Sequence, residues 1–373
     1  MTAPSPLLDL DDAAGVAAAD SEGAMRAAAL GGAQVRATAA AVAEGALDRI
    51  RNMRPRSVVF VTGGGRAGRA ATVLTVTMGP RVGIPILHLP AVPPWLGPLD
   101  VVVVSGDDAG DHRLLEAADS GLRRGAEVVL VAPDEGPLRA AGAGRAMVLP
   151  PRVRVPDRNG FLRYLAAGLE VLAALESERA AVLFPDLADL ADELDAEAVR
   201  DRPDNEVFHN PAKSLAVRMR GRRVVLAGDA PSTTALARHG AEVLLRTSGV
   251  VAAAADLGEV LAAADRLAGG GAAPGTGYDP IFHDEELDGP APSAPVRVFV
   301  LATAGSRQLT TRRIAALRDA ELVAAEGEEN SIEMGGAEMT SPVRRERTEV
   351  EQLAVTAVRL EMAAAYLQLI GGR

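Results

Sequence analysis

Short apolar, β-branched runs punctuate this chain, and each ends in small residues before a helical pattern takes over. SVVFVT (57–62) runs into GGGRAGRAATVLTV, and VVVVS (101–105) runs into GDDAGD and then HRLLEAADSGLRRG. RRVVLAGD (222–229) opens a second round. Alternation of this kind needs crossover connections, which produce a mostly parallel sheet with helices on both faces. Runs as uniformly apolar as VVVVS suit strands buried on both sides. Ligands of such open sheets bind beyond the carboxyl ends of the strands. The turns that follow the strands are therefore where chemistry is expected.

The pattern predicts an α/β protein in two similar halves. The first has strands at 57–62, 84–89, 101–105, 126–132 and 146–150, with a closing helix over 159–177. The second has strands at 222–229, 242–246 (EVLLR), 296–303 and 321–326, with helices over 231–239, 250–268, 308–318 and 346–370. Residues 1–56 read as a helical lead, 57–180 as a first domain, 181–221 as a helical connector and 222–373 as a second domain. A length of 373 residues suits two domains. The Gly/Pro-rich stretch 269–295 reads as a surface loop. No close sequence repeat is visible, so the duplication is one of architecture.

Composition narrows the function classes. Hydrophobic residues make up 48% and charged residues 24%, enough for a sizeable core. The absence of cysteine excludes disulfides, thiolate metal sites and a cysteine nucleophile. A net charge of -11 argues against nucleic acid as a partner. No run of apolar residues long enough to span a bilayer is free of charges or helix breakers, so no membrane span is expected. MTAPSPLLDLDD has early acids and no basic segment, unlike a secretory signal, and a cytoplasmic location is the default expectation. Lys213 is the only lysine.

Two turns stand out. Thr62-Gly63-Gly64-Gly65-Arg66-Ala67-Gly68 follows the first strand. Gly63, Gly65 and Gly68 would let backbone approach a ligand closely, and the amides of the helix start can hold an anion. The stretch satisfies G-x-G-x-x-G, but no acid follows at the spacing a dinucleotide needs, and it is not a Walker loop. A tight packing turn, an anion or sugar site and a nucleotide site stay open. Ser105-Gly106-Asp107-Asp108-Ala109-Gly110-Asp111 reads as an acidic turn capping the next helix, with a metal site as its rival. The five histidines (His88, His112, His209, His239, His283) form no metal-ligand motif. His112 starts a helix beside the acidic turn. His209 lies close to Lys213, where Asn210 as a cap and Pro211 at the first helical position explain the segment without catalysis.

From about 57 to 370 the layout resembles sugar isomerase (SIS) domain proteins, specifically the bifunctional phosphoglucose/phosphomannose isomerase family. TGGGRAG (62–68) stands where the family has a turn like S-G-M-G-G-S-G, and SGDDAGDHR (105–113) where it has one like S-Y-S-G-N-T-x-E-T. VPDRNGFLRYLAAGL (155–169) is similar to the family's P-R-x-A-x segment, and NPAKSLA (210–216) to an element ahead of its second domain. The resemblance implies two SIS-like domains, a homodimer, a sugar phosphate ligand and no cofactor. It implies ligand-binding roles for Thr62, Gly63, Gly65, Arg66, Gly68, Ser105, Asp107, Arg113 and Arg158, the last in the place of an active-site arginine. The apolar final helix, which needs cover, adds to the expectation of a dimer.

The same comparison exposes departures. Ala67 stands where the first turn should carry a serine. In the second turn Asp107 replaces a serine, Gly110 a threonine and Arg113 another. A carboxylate about 5 Å from a phosphate, at an effective dielectric near 20, costs about 3 kcal/mol, which Arg66 and Arg113 would have to offset. The family's glutamate base sits in an E-N-A-K-like segment followed by a histidine. GAEVLLRTSGVVAAAADLGEV (240–260) has neither, and Glu242 is its nearest carboxylate. The expectation is a sugar-phosphate-binding protein with a degenerate site. The alternative is an active aldose–ketose isomerase that uses His112, His209 or a partner chain's carboxylate.

Overall fold

A computed structural model describes residues 8–176, 178–268, 294–325 and 347–371. Three helices, α1 (Ala13–Ala19), α2 (Ala24–Ala29) and α3 (Gly31–Ala43), precede the first sheet. Strands and helices then alternate: β1 (Ser57–Thr62), α4 (Gly65–Met78), β2 (Ile86–Leu89), β3 (Asp100–Ser105), α5 (His112–Arg123), β4 (Glu127–Val131), α6 (Gly136–Gly142) and β5 (Met147–Val148). α7 (Phe161–Leu175) closes the half. The five strands are parallel, in the order β2-β1-β3-β4-β5.

Every residue of β1 and β3 is buried, as their unbroken apolar runs predict. Period-two alternation shares their side chains between two cores. Val58, Phe60, Val101 and Val103 join the α4 and α7 side with Leu74 and Leu165. Val59, Val61, Val102 and Val104 join the α5 side with Leu114 and Ala117. Thr62 and Ser105 end their strands at the same register. Their turns are therefore neighbours, joined where the Gly63 amide donates to the Ser105 carbonyl at 2.9 Å.

The connector holds α8 (Ala180–Leu183), α9 (Leu187–Arg200) and α10 (Pro211–Met219). Asn210 caps α10 by accepting from the Lys213 amide at 2.8 Å, with Pro211 at its first position, as expected. The second sheet follows: β6 (Arg223–Gly228), α11 (Pro231–Ser248), β7 (Ala252–Asp256), α12 (Leu257–Ala262), α13 (Ala264–Ala268), β8 (Val296–Ala302), α14 (Arg307–Ile314) and β9 (Ala320–Ala324). These four strands are parallel, in the order β7-β6-β8-β9. α15 (Glu349–Ile370) ends the fold.

Two expectations in this half are corrected. EVLLR (242–246) is not a strand but part of α11, which continues to Gly249, a left-handed cap at φ 69°. Helix wins because Leu236, Gly240, Val243 and Leu244 form one buried face. The predicted helix over 250–268 begins instead as β7, an edge strand of four alanines and an aspartate paired to β6, and becomes helical only at Leu257. Tertiary pairing overrides the helix preference of alanine here. The predicted loop at 269–295 falls almost wholly outside the described residues, as does His283.

α15 is long and apolar enough to cross a membrane by length and composition, yet it is buried within the fold. It packs against α2, α9, α10 and α11 of its own chain. The cover it requires is thus intramolecular, and this helix gives no argument for a dimer.

Candidate functional site

The first turn is built for tight curvature. Gly64 and Gly65 sit at φ 94° and 51°, in the left-handed region, and α4 starts at Gly65 without a side-chain cap. Gly63 lies against the second turn, where an added Cβ would come 3.0 Å from the Asp111 carboxylate. Arg113 closes this edge: its Nη2 donates to the Gly63 carbonyl at 2.7 Å and to Asp111 Oδ2 at 3.0 Å. Asp111 caps α5 through the Arg113 amide. Burial would raise the Asp111 carboxyl, but its hydrogen bonds to Arg113 outweigh that and hold it below the ordinary range.

Thr62 and Gly68 meet His88 at the end of β2. The Thr62 and Thr72 hydroxyls lie 3.1 and 3.2 Å from the two ring nitrogens of His88. Burial first, and then the Arg69 charge, lower its pKa below the ordinary value. The ring is accordingly neutral at neutral pH. Ser105 lies beneath the turns at 4% exposure.

Arg66 is buried in the first turn of α4. It donates through Nε to the Asp157 carbonyl at 3.1 Å and through Nη2 to Asp157 Oδ2 at 3.0 Å. Asp157 also accepts from Arg246 of α11 at 3.0 Å, so its carboxylate links the two halves. Asp107 reaches over Gly160 to α7. Its Oδ1 accepts from the Tyr164 hydroxyl at 2.6 Å and from Arg163 Nη2 at 3.4 Å, and its Oδ2 lies 3.8 Å from Arg66 Nη2. The Arg163 guanidinium stacks over the Tyr164 ring at 4.2 Å. Burial pushes the Tyr164 phenol above its ordinary value; Arg163 opposes this and Asp107 adds to it.

Thr62, Gly63, Gly65, Arg66, Gly68, Ser105, Asp107 and Arg113 thus share one rim at the carboxyl ends of β1 and β3. Arg158 is set differently. Its ion-pair neighbour is Glu22, 4.0 Å away ahead of α2, while Asp157 beside it joins the rim. Arg163, Tyr164, Asp157 and Arg246 were not singled out in the sequence, although the first three lie in the 155–169 segment. The one signal for the first two was an arginine–tyrosine pair in a helix whose only other charged residue is Glu170. Glu242 is on α11 and is held by Arg69 of α4 at 2.5 Å. His112 and His209 are both exposed, and the His209 ring lies tilted against Phe208 in the connector.

A buried polar group lies behind the rim. His239 of α11 is fully enclosed and stacked on Phe161, and its Nε2 is 3.4 Å from Glu361 Oε1 on α15. Glu361 Oε2 accepts from Asn159 Nδ2 at 2.7 Å. A separate cavity of about 540 Å³ lies between the C-terminal end of α4 and the starts of α11 and α15. None of the nine predicted residues lines it. Among the described residues its only charged lining group is Glu349, which accepts from Ser232 at 2.5 Å, and none of them supplies a cation for an anionic ligand. No cluster of His, Asp and Glu suited to a metal ion occurs among the described residues.

The sequence matches no protein-family model and none of the curated proteins. Solved structures do resemble it. Tagatose-6-phosphate ketose/aldose isomerase from Escherichia coli is similar with a TM-score of 0.63 at 15% identity, over 93% of this chain and 91% of that one. The C-terminal domain of glucosamine-fructose-6-phosphate aminotransferase from Francisella tularensis is similar with a TM-score of 0.58 at 10% identity, over 93% and 96%. At such identities the likeness concerns the fold alone: the chain shares the two-sheet α/β architecture of these structures.

Proposed function

We propose that the chain binds a phosphorylated sugar, or a metabolite of like chemistry, at the rim above β1 and β3 without isomerising it. The rim carries this reading: two strand-end turns are hydrogen-bonded together while the guanidiniums of Arg66, Arg113 and Arg163 converge on them. Guanidinium forks suit phosphate and carboxylate geometry. Thr62, Gly63, Gly65, Gly68, Ser105 and Asp107 complete the ligand side, with Arg158 at its edge. Both structural relatives above are named for hexose phosphates, which is consistent with this ligand class.

Aldose–ketose isomerisation needs a base free to take a proton from carbon. The carboxylates of Asp107, Asp111, Asp157 and Glu242 are each engaged by a guanidinium. Thermal shift with hexose phosphates should therefore raise Tm, since a ligand of the native state stabilises it. A coupled assay with fructose, glucose and mannose 6-phosphates should show no turnover. Turnover that Arg158→Ala or Ser105→Ala abolishes would overturn the non-catalytic reading, and no shift with any ligand would overturn the binding reading.

The second reading, an active isomerase, is favoured by the His239–Glu361 pair. Both residues are sealed, at 0% and 2% exposure, so substrate reaches them only if the surrounding elements open. Turnover lost in Glu361→Gln would support that reading. A homodimer, implied by the resemblance, is tested by sedimentation at micromolar concentration.

A further inference from the structure

We infer that Asp107 is a resident anion: its carboxylate occupies a receptor made by Arg66, Arg163 and Tyr164, and the phosphate of the ligand takes that place when Asp107 swings out. This inference rests on the binding function proposed above and names the part of the rim that would hold the charged group.

The receptor is over-supplied with donors. Among the described residues, Arg66, Arg163 and Arg246 face two carboxylates, those of Asp107 and Asp157. Arg163 is 7% exposed, and its Nη1 is buried without a hydrogen-bond partner. A buried guanidinium nitrogen with no acceptor is costly unless something else fills the position. A carboxylate offers two oxygens, which here meet the Tyr164 hydroxyl, Arg163 Nη2 and, loosely, Arg66 Nη2 at 3.8 Å. A phosphate monoester offers three oxygens and more charge. It can reach the same donors together with the free Nη1.

The occupant can leave. The Asp107 side chain is 29% exposed, so rotation carries its carboxylate into water without moving α7. Arg66 stays anchored by Asp157, and Arg163 by its stacking on Tyr164, so the donors remain in place. Asp107 therefore competes with any anion for this receptor and sets its selectivity for charge.

The test is calorimetric titration of the full chain with inorganic phosphate and with glucose 6-phosphate, for the natural protein, Asp107→Asn and Asp107→Asn/Arg163→Gln. Asn keeps the shape and an acceptor for Tyr164 but removes the charge. Asp107→Ser serves in its place if Asn disturbs the fold by circular dichroism. Removing one unit of like charge about 5 Å from the ligand should tighten phosphate binding roughly a hundredfold, and Arg163→Gln should cancel most of that gain. Equal phosphate affinity with and without Asp107, or a gain that survives Arg163→Gln, overturns the inference. If glucose 6-phosphate binds the natural protein and Asp107→Asn equally, the binding function stands and only the inference fails. If neither protein binds either anion, both fail.

Discussion

The single lysine shows how much one residue can hold. Lys213 is fully buried, and its Nζ donates to the carbonyls of Leu10, Pro203 and Asn205 at 2.5, 2.7 and 2.6 Å. It ties the N-terminal lead to the connector and has no place at the rim. Lys213→Met would leave three carbonyls without their donor and should destabilise the fold by about 3 kcal/mol in urea denaturation. An amine-reactive reagent should label the native protein at its α-amino group alone; labelling of Lys213 before unfolding would contradict its burial. Asp201 makes a pH prediction. Burial first, and then the neighbouring Glu197 charge, push its carboxyl up to about 8, and its buried Oδ2 has no donor that would stabilise the ionised form. Between the ordinary aspartate range and that value the native state holds a proton that the unfolded chain has released. Stability should therefore fall as pH rises from about 4 towards 8, and Asp201→Asn should flatten the slope. A denaturation series with equal slopes in both proteins would refute this. At this scale the sequence reveals side chains that a turn displays, such as Arg66, Asp107 and Arg113. It does not show what Arg163 and Tyr164 do, because a helical arginine looks the same in sequence whether its guanidinium meets water or a carboxylate.

Among the elements, those of the first half were legible because its central strands β1 and β3 are buried on both faces and their turns are marked by glycine. The second half was harder for physical reasons. EVLLR has strand-like composition, yet Val243 and Leu244 enter the core side by side while Leu245 and Arg246 are exposed, a pattern that suits the helix period and not strand alternation. AAAA at 252–255 has no strand signal; it is extended because β6 offers an edge. The usable mark was Gly249, which ends α11 at positive φ. The β6–α11 junction makes a sharper prediction. A Cβ on Gly228 would come within 2.1 Å of the Thr234 amide nitrogen, a backbone atom that can move only with the helix. Gly228→Ala should cost about 3 kcal/mol or more, since overpacking against backbone has little room to relax. A variant that melts within about a degree of the natural protein would show that α11 sits farther from β6 than described.

On the scale of the whole molecule, the two sheets share their supports. α15 lies among α2, α9, α10 and α11, α4 packs against α11, and Arg69–Glu242 and Arg66–Asp157–Arg246 tie one half to the other. Separating the halves would expose both sides of these contacts, including an α15 that is buried along nearly all of its length. That apolar surface opposes independent unfolding, so a single cooperative transition is expected in calorimetry, with matching van't Hoff and calorimetric enthalpies. Leu360 provides the probe. It is 1% exposed on α15, and its side chain is the near neighbour of Gly240 on α11. Leu360→Ala should cost about 2–5 kcal/mol and move the whole transition to lower temperature without splitting it. Two resolved transitions, with only one of them shifted by this substitution, would mean that the sheets fold as separate units. In that case Asp157, with one arginine from each half, would be joining two bodies free to move against each other.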